Sequence, residues 1–221
     1  MNNLRNQILE VDELSYRAFT EVLRNSTSKP GFLHLMIKDC FSSYQLRQTM
    51  VYLKKAMAKQ TERKWGKTLN YQWLSRFDQQ ENTKFHRDNA ADESVLILGY
   101  EPSAIPSRLF IADHVAFARA NQLSPTEFFD EYNPLLTDLG KLLKQHLTEV
   151  KGFKHDHFNI LIINNSDSDL TYGVLHKAHM LEQDPQKHRI VNSMMLHLVD
   201  ASKSEVSLDE HRFLITDKVD K

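Results

Sequence analysis

Short apolar segments of strand length dominate the second half of the chain and constrain its fold more than any other feature. One helical stretch, residues 114–150, interrupts them. Helices do not alternate regularly with strands and there is no glycine-rich phosphate loop, so the pattern excludes a doubly wound parallel sheet. The pattern predicts an antiparallel β core whose strands cover residues 94–100, 108–112, 158–163, 173–180 and 189–199.

The first third of the chain is mainly helical. Residues 4–25 and 43–64 carry apolar side chains at three- and four-residue spacing, which predicts two amphipathic helices. Ser42 or Ser43 can cap the second helix, and Gly66 ends it. We therefore predict one α+β domain over residues 1–221, with a mainly helical buttress (1–66), a β core (69–113 and 158–200) and a helical insertion (114–150).

Three local patterns give finer predictions. The run Ser124-Pro125-Thr126-Glu127 has the composition of a helix start, with a serine cap and a proline at the first position. Pro134 opens a further predicted helix with leucines as far as position 147. Residues 211–216 are a candidate for one more strand, and residues 164–169 form a polar turn.

Composition narrows the class of protein. The formal net charge of -1 over 221 residues gives no basic surface for nucleic acid. The single cysteine, Cys40, permits no intrachain disulfide and fits a reducing compartment. No signal peptide and no apolar run of membrane-spanning length is found, so a cytoplasmic protein without membrane contact is expected.

A metal-binding pattern stands out at His86-Arg87-Asp88. On a strand, side chains at positions i and i+2 point to the same face, so this imidazole and this carboxylate could reach one ion. A third ligand from a distant histidine would complete a two-histidine, one-carboxylate face. That face leaves coordination positions open and is typical of non-haem Fe(II) oxygenases.

Two histidines compete for the distal ligand position, His176 and His179. Their separation is odd, so in a regular strand they face opposite sides and only one points inward. The apolar residues Gly173-Val174-Leu175 directly before His176 favour this histidine as the distal ligand, and His179 is the alternative.

Arg189 opens the apolar segment that follows the histidines. Period-two alternation places Arg189, Val191 and Ser193 on one face. A buried guanidinium needs an anionic partner, and a carboxylate that accepts two hydrogen bonds is the natural one. The Ser193 hydroxyl is placed to donate to the same carboxylate. The alternative is an arginine at a strand edge that reaches solvent.

Together, His86-x-Asp88, His176 after Gly173-Val174-Leu175, and Arg189 with Ser193 resemble the Fe(II)- and 2-oxoglutarate-dependent dioxygenases. The resemblance covers about residues 69–200 and implies a double-stranded β-helix (jelly-roll, cupin-like) core buttressed by the N-terminal helices. It implies Fe(II) held by His86, Asp88 and His176, with Arg189 anchoring the distal carboxylate of the 2-oxoglutarate cosubstrate. It also implies O2-dependent hydroxylation of a substrate with release of succinate and CO2. Asp88 stands where related halogenases have Gly or Ala, which favours hydroxylation.

The expected substrate is a small molecule, such as an amino acid, or a protein side chain. Two other classes of function stay open. A cupin-like metal enzyme that needs no oxo acid would keep the metal ligands and have no use for Arg189. A non-catalytic jelly-roll binding module would carry His86 and Asp88 by coincidence.

Overall fold

The computed structural model describes residues 13–133, 136–203 and 209–220. Eight strands lie within these ranges: β1 (Phe32–Met36), β2 (Lys67–Asp78), β3 (Ser94–Tyr100), β4 (Ser107–Ala112), β5 (Leu147–Glu149), β6 (Asn159–Asn164), β7 (Leu175–Met180) and β8 (Ile190–Asp200). The helices are α1 (residues 13–22), α2 (Ser43–Trp65), α3 (His114–Ala120), α4 (Pro125–Glu131), α5 (Leu139–Leu142) and α6 (Asp209–Ile215).

The strands form two antiparallel sheets. The larger sheet has the order β1-β6-β3-β8-β2, and the smaller has the order β5-β4-β7. All ladders within both sheets are antiparallel. The predicted α+β class and antiparallel β core are therefore confirmed.

Three apolar clusters lie on the faces of the two sheets. The outer face of the large sheet packs against α2 and α6 through Leu46, Met50 and Phe213. Alternate residues of the same strands, such as Leu96 and Leu161, meet the small sheet in a central cluster. The outer face of the small sheet is covered by the 114–146 helices. The two sheets thus enclose a core that is buried from both sides.

The second long helix begins and ends at residues that the sequence identifies. The Ser42 side chain accepts a hydrogen bond from the Gln45 backbone N–H at 3.2 Å, which satisfies one free donor of the first turn. Gly66 follows the helix with φ 64°, a conformation that glycine adopts at little cost. Of the first predicted helix, residues 13–22 are helical and residues 23–25 are not, while its part before residue 13 lies outside the described residues.

Two local predictions are wrong. The helix expected to run from Pro134 to Leu147 is confined, in the described residues, to α5 and a 3-10 turn at Lys144–His146. Leu147–Glu149 is a strand instead, because it pairs with Phe110–Ala112 at the edge of the small sheet. Residues 211–216, a strand candidate, belong mainly to α6, where Phe213 enters the core beside α2. The predicted start at Ser124 is confirmed, with both hydrogen bonds of a capping box.

An ion pair joins the loop after α1 to Asp113, which caps α3 directly after β4. The Arg24 side chain, which is fully buried, donates two hydrogen bonds to Asp113 at 2.6 and 2.8 Å. Its Nε also donates to the Tyr172 carbonyl at 3.0 Å, just before β7. Arg24 therefore fixes the chain where it enters the strand that carries His176. None of the helices in the described ranges combines the length and apolar character that crossing a bilayer requires.

Candidate metal centre

The structure brings His86, Asp88 and His176 together. One ligand atom from each residue lies within 4.8 Å of the other two, and in the described part of the chain this is the one such group of three. His86 Nε2 is 3.3 Å from Asp88 Oδ1, and the two imidazole rings have their centroids 4.2 Å apart. Two imidazoles and one carboxylate at this spacing are a ligand set that suits a transition metal.

Backbone pairing places the two histidines. The segment before His86 runs along the free edge of β7, and His86 and His176 exchange two backbone hydrogen bonds, at 3.1 and 2.9 Å. Strand alternation turns Ala178 and Met180 into the central core, on the same side as His176. His179 projects from the opposite face of β7 and is not part of the metal-ligand group. His176 is accordingly the distal histidine that the structure places beside His86.

Asp88 reaches the group by a different route from the one that the sequence suggests. Residues 87–93 are not a strand, so i, i+2 alternation does not orient the carboxylate. Instead, the side chain of Asn165 holds the Asp88 backbone: Oδ1 accepts from the Asp88 N–H at 2.9 Å, and Nδ2 donates to the Asp88 carbonyl at 3.1 Å. Nδ2 also donates to Ser94 Oγ at 3.0 Å. Asn165, which is fully buried, therefore fixes the position of the candidate ligand.

The sequence analysis did not identify Asn165 and assigned it to a polar turn. An amide directly after the apolar strand β6 was an available signal, because loop residues next to a rigid strand often carry function.

Hydrogen bonding sets the protonation states in the group. His86 Nδ1 lies 2.8 Å from the Lys84 carbonyl, so Nδ1 carries a proton, and Nε2 faces Asp88 Oδ1 at 3.3 Å. Burial disfavours the His86 imidazolium, but its bonds to Asp88 and to the Lys84 carbonyl outweigh burial and raise its pKa. Burial likewise opposes the Asp88 carboxylate, but the neighbouring imidazoles outweigh it and lower that pKa.

His176 differs from His86 in that, among the described residues, no acceptor bonds its Nδ1. Burial, and then the nearby positive charge of protonated His86, lower the pKa of His176 to about 4. His176 Nδ1 is buried and has no hydrogen-bond partner among the described residues. A neutral imidazole, an ionised carboxylate and a second imidazole whose Nε2 can exchange its proton for a metal ion form a set that binds a divalent cation, so the residues fit such an ion.

A cavity of about 380 Å³ adjoins the three residues, which line it directly. Its other walls are largely apolar and aromatic, and Ser193 lines it as well. The aromatic residues are Trp73, Phe77, Tyr100 and Phe110. Its volume is that of a site for a small organic ligand.

Arg189 stands immediately before β8 and does not itself line the cavity, but its contacts Gln79 and Tyr100 do. Its side chain is almost completely buried, and its guanidinium carbon is 4.9 Å from the centre of the Tyr100 ring. Nε donates to Ser107 Oγ at 3.0 Å, and Nη1 donates to Gln79 Oε1. Nη2 is buried without an acceptor, and no described carboxylate forms a side-chain ion pair with the guanidinium. Burial lowers the pKa of Arg189, although the arginine stays cationic.

Ser193 and Arg189 are not joined by a hydrogen bond among those of the described residues. Ser107 and Gln79 contact the guanidinium instead, and the sequence analysis identified neither. Both residues lie on or at the ends of other strands, and nothing in the local sequence around them indicates a contact with Arg189. Ser193 contributes to the cavity wall.

No protein-family model matches the chain, and a search of curated proteins found no match. The chemistry of the site is accordingly inferred from its own geometry.

Proposed function

We propose that the protein is a non-haem Fe(II)- and 2-oxoglutarate-dependent dioxygenase with a double-stranded β-helix core, which hydroxylates a small-molecule or amino-acid-type substrate. One observation carries this proposal. The guanidinium of Arg189 is buried and forms no direct ion pair with a described carboxylate: the neighbouring Asp78 accepts instead from the Arg189 backbone N–H at 2.8 Å. Its contacts Gln79 and Tyr100 line the cavity that also holds the metal-ligand group. A buried guanidinium that is not directly paired is costly, and a ligand carboxylate would compensate for it.

The proposed metal ligands are His86, Asp88 and His176. Two facing antiparallel sheets around the cavity are compatible with a jelly-roll. These three residues would hold Fe(II), which with 2-oxoglutarate as cosubstrate would supply the chemistry for oxidising the substrate by O2, with release of succinate and CO2. The chain holds Asp88 ionised and His176 neutral, so that both are ready to bind the ion. Because Asn165 holds the Asp88 backbone in place, metal binding does not have to restrict the motion of this backbone.

Arg189 is the proposed anchor for the distal carboxylate of 2-oxoglutarate. Nη2 is available, and Nη1 is held only by a neutral amide. Burial raises the pKa of Tyr100 to about 12, so its phenol stays neutral at physiological pH and does not compete for the cation as an anion. Burial of the guanidinium lowers the local dielectric constant, which strengthens its pairing with a carboxylate.

The test uses the full chain with Fe(II) and 2-oxoglutarate. Under anaerobic conditions, wild type should give a weak visible charge-transfer band, and in air it should form succinate slowly without added substrate. In Arg189→Met the cosubstrate affinity should fall by about 30-fold or more, because one partner of a buried charge pair is lost. Fe(II) affinity should change little.

Two histidine variants provide the matched control for the metal. His176→Ala should abolish stable Fe(II) binding, while His179→Ala, three residues along the same strand, should bind Fe(II) like wild type. Fe(II) binding without the charge-transfer band or succinate would refute the oxo-acid requirement. Unchanged Fe(II) affinity in His176→Ala would refute the metal centre.

A further inference from the structure

Gln79 is the cavity residue in closest contact with the Arg189 guanidinium. Strand β2 ends at Asp78, and the Gln79 backbone N–H then donates to the Arg189 carbonyl at 2.9 Å. This bond extends the antiparallel pairing of β2 with β8 by one position, so the two side chains face each other across the ladder. Gln79 lines the cavity, and its Oε1 accepts from Arg189 Nη1.

The Gln79 amide oxygen accepts from only one of the guanidinium nitrogens of Arg189, Nη1. A carboxylate that binds Arg189 in the bidentate manner takes two parallel N–H donors. One of the buried donors, Nη2, has no acceptor, and another, Nη1, is held by the amide oxygen of Gln79. An incoming carboxylate that engages Nη1 must therefore displace that oxygen. The terminal torsion of glutamine is soft, so the amide can turn and present its NH2 group instead.

We propose that Gln79 determines specificity for the oxo-acid cosubstrate: its amide oxygen holds Arg189 before binding, and its NH2 group donates to the distal carboxylate afterwards. This inference rests on the proposed function. It assigns Gln79 two roles that require a neutral group with both an acceptor and a donor. Gln79→Glu keeps the acceptor but removes the donor and adds a charge that pairs with Arg189 inside the protein.

A purely structural role for Gln79 predicts the opposite result. If the residue only supports the guanidinium, a glutamate of nearly the same shape would support it at least as well, because the pair would become charge-assisted. Anion binding would then be unaffected. Gln79→Glu therefore separates the two explanations by the sign of its effect.

The experiment titrates two oxo acids into the anaerobic Fe(II)-loaded full chain. They are 2-oxoglutarate and 2-oxopentanoate, which has the same carbon skeleton without the distal carboxylate. In Gln79→Glu we expect 2-oxoglutarate affinity to fall by about 30-fold or more, because the anchor is paired internally. Affinity for 2-oxopentanoate and for Fe(II) should stay within about threefold of wild type, since neither uses the guanidinium.

Gln72→Glu is the matched control. Gln72 on β2 is exposed, accepts from the Ala91 N–H through Oε1, a bond that glutamate keeps, and does not line the cavity, so the same added charge should leave both affinities unchanged. The inference is overturned if Gln79→Glu binds 2-oxoglutarate like wild type, or if it loses both oxo acids equally. Absence of 2-oxoglutarate binding in wild type would instead overturn the proposed function, and this inference with it.

Discussion

Replacing Asn165 with alanine tests whether the position of Asp88 depends on the amide that holds its backbone. Asn165→Ala removes two hydrogen bonds to Asp88 and one to Ser94. At about 1 kcal/mol for each bond, the variant should lose roughly 3 kcal/mol of stability. Metal affinity should fall by about 10- to 100-fold, the usual effect of removing a group that orients a ligand. Anaerobic Fe(II) titration and urea unfolding measure the two quantities.

The adjacent residue, Asn164, supplies the control for this prediction. It is also fully buried, and its amide makes four hydrogen bonds, to Val22, Thr171, Tyr172 and Ser166, none of them to Asp88. Asn164→Ala should therefore lose a similar amount of stability and keep its metal affinity. Equal loss of metal affinity in both variants would show that general loosening, and not the placement of Asp88, is responsible. Unchanged affinity in Asn165→Ala would refute the role assigned to the amide.

Two further predictions concern stability. His114 packs against the rings of Phe128 and Phe129, and burial lowers its pKa from 6.5 to about 3. Its unfolded form therefore takes up a proton first as pH falls below 6.5, and by pH 5 this should cost the folded state about 2 kcal/mol. His114→Leu should lack that loss when urea unfolding of the metal-free protein is compared at pH 7 and pH 5; an identical pH dependence would contradict the reasoning. In Gly173→Ala the new Cβ would lie 2.1 Å from the Ser166 carbonyl oxygen. Its thermal midpoint should fall, by an amount equivalent to roughly 1–3 kcal/mol, and an unchanged midpoint would mean that the loop yields freely.

The spacing of apolar residues predicted those elements whose buried side chains can be recognised from the element's own sequence. Strand β3 is buried along its whole length, and its unbroken apolar run shows this directly. The α6 segment was misread because its Phe213-Leu214-Ile215 run suits a strand as well as a helix. Its helical conformation is accompanied by contacts with residues distant in the sequence: the Arg47 guanidinium donates to the Leu214 carbonyl at 3.0 Å. Such a contact has no local signature.

The residues of the candidate site likewise fall into those that the sequence identifies and those that it does not. Residue type and order were enough to single out His86, Asp88 and His176, because a metal site needs particular ligand atoms. Asn165 and Gln79 could not be identified from residue type and order, because asparagine and glutamine are common in connecting segments. Their importance comes from facing Asp88 and Arg189 across the fold, 77 and 110 positions away in sequence.

The two polar parts of the cavity belong to different sheets. His176 stands on the small sheet, while Arg189 and Gln79 extend strands of the large one. The width of the gap between the sheets, filled by side chains such as Leu109 and Leu161, therefore sets how long a molecule must be to touch both parts. Under the proposed function, trimming or enlarging those aliphatic residues would change the preferred chain length among dicarboxylates without altering the groups proposed to contact their charges.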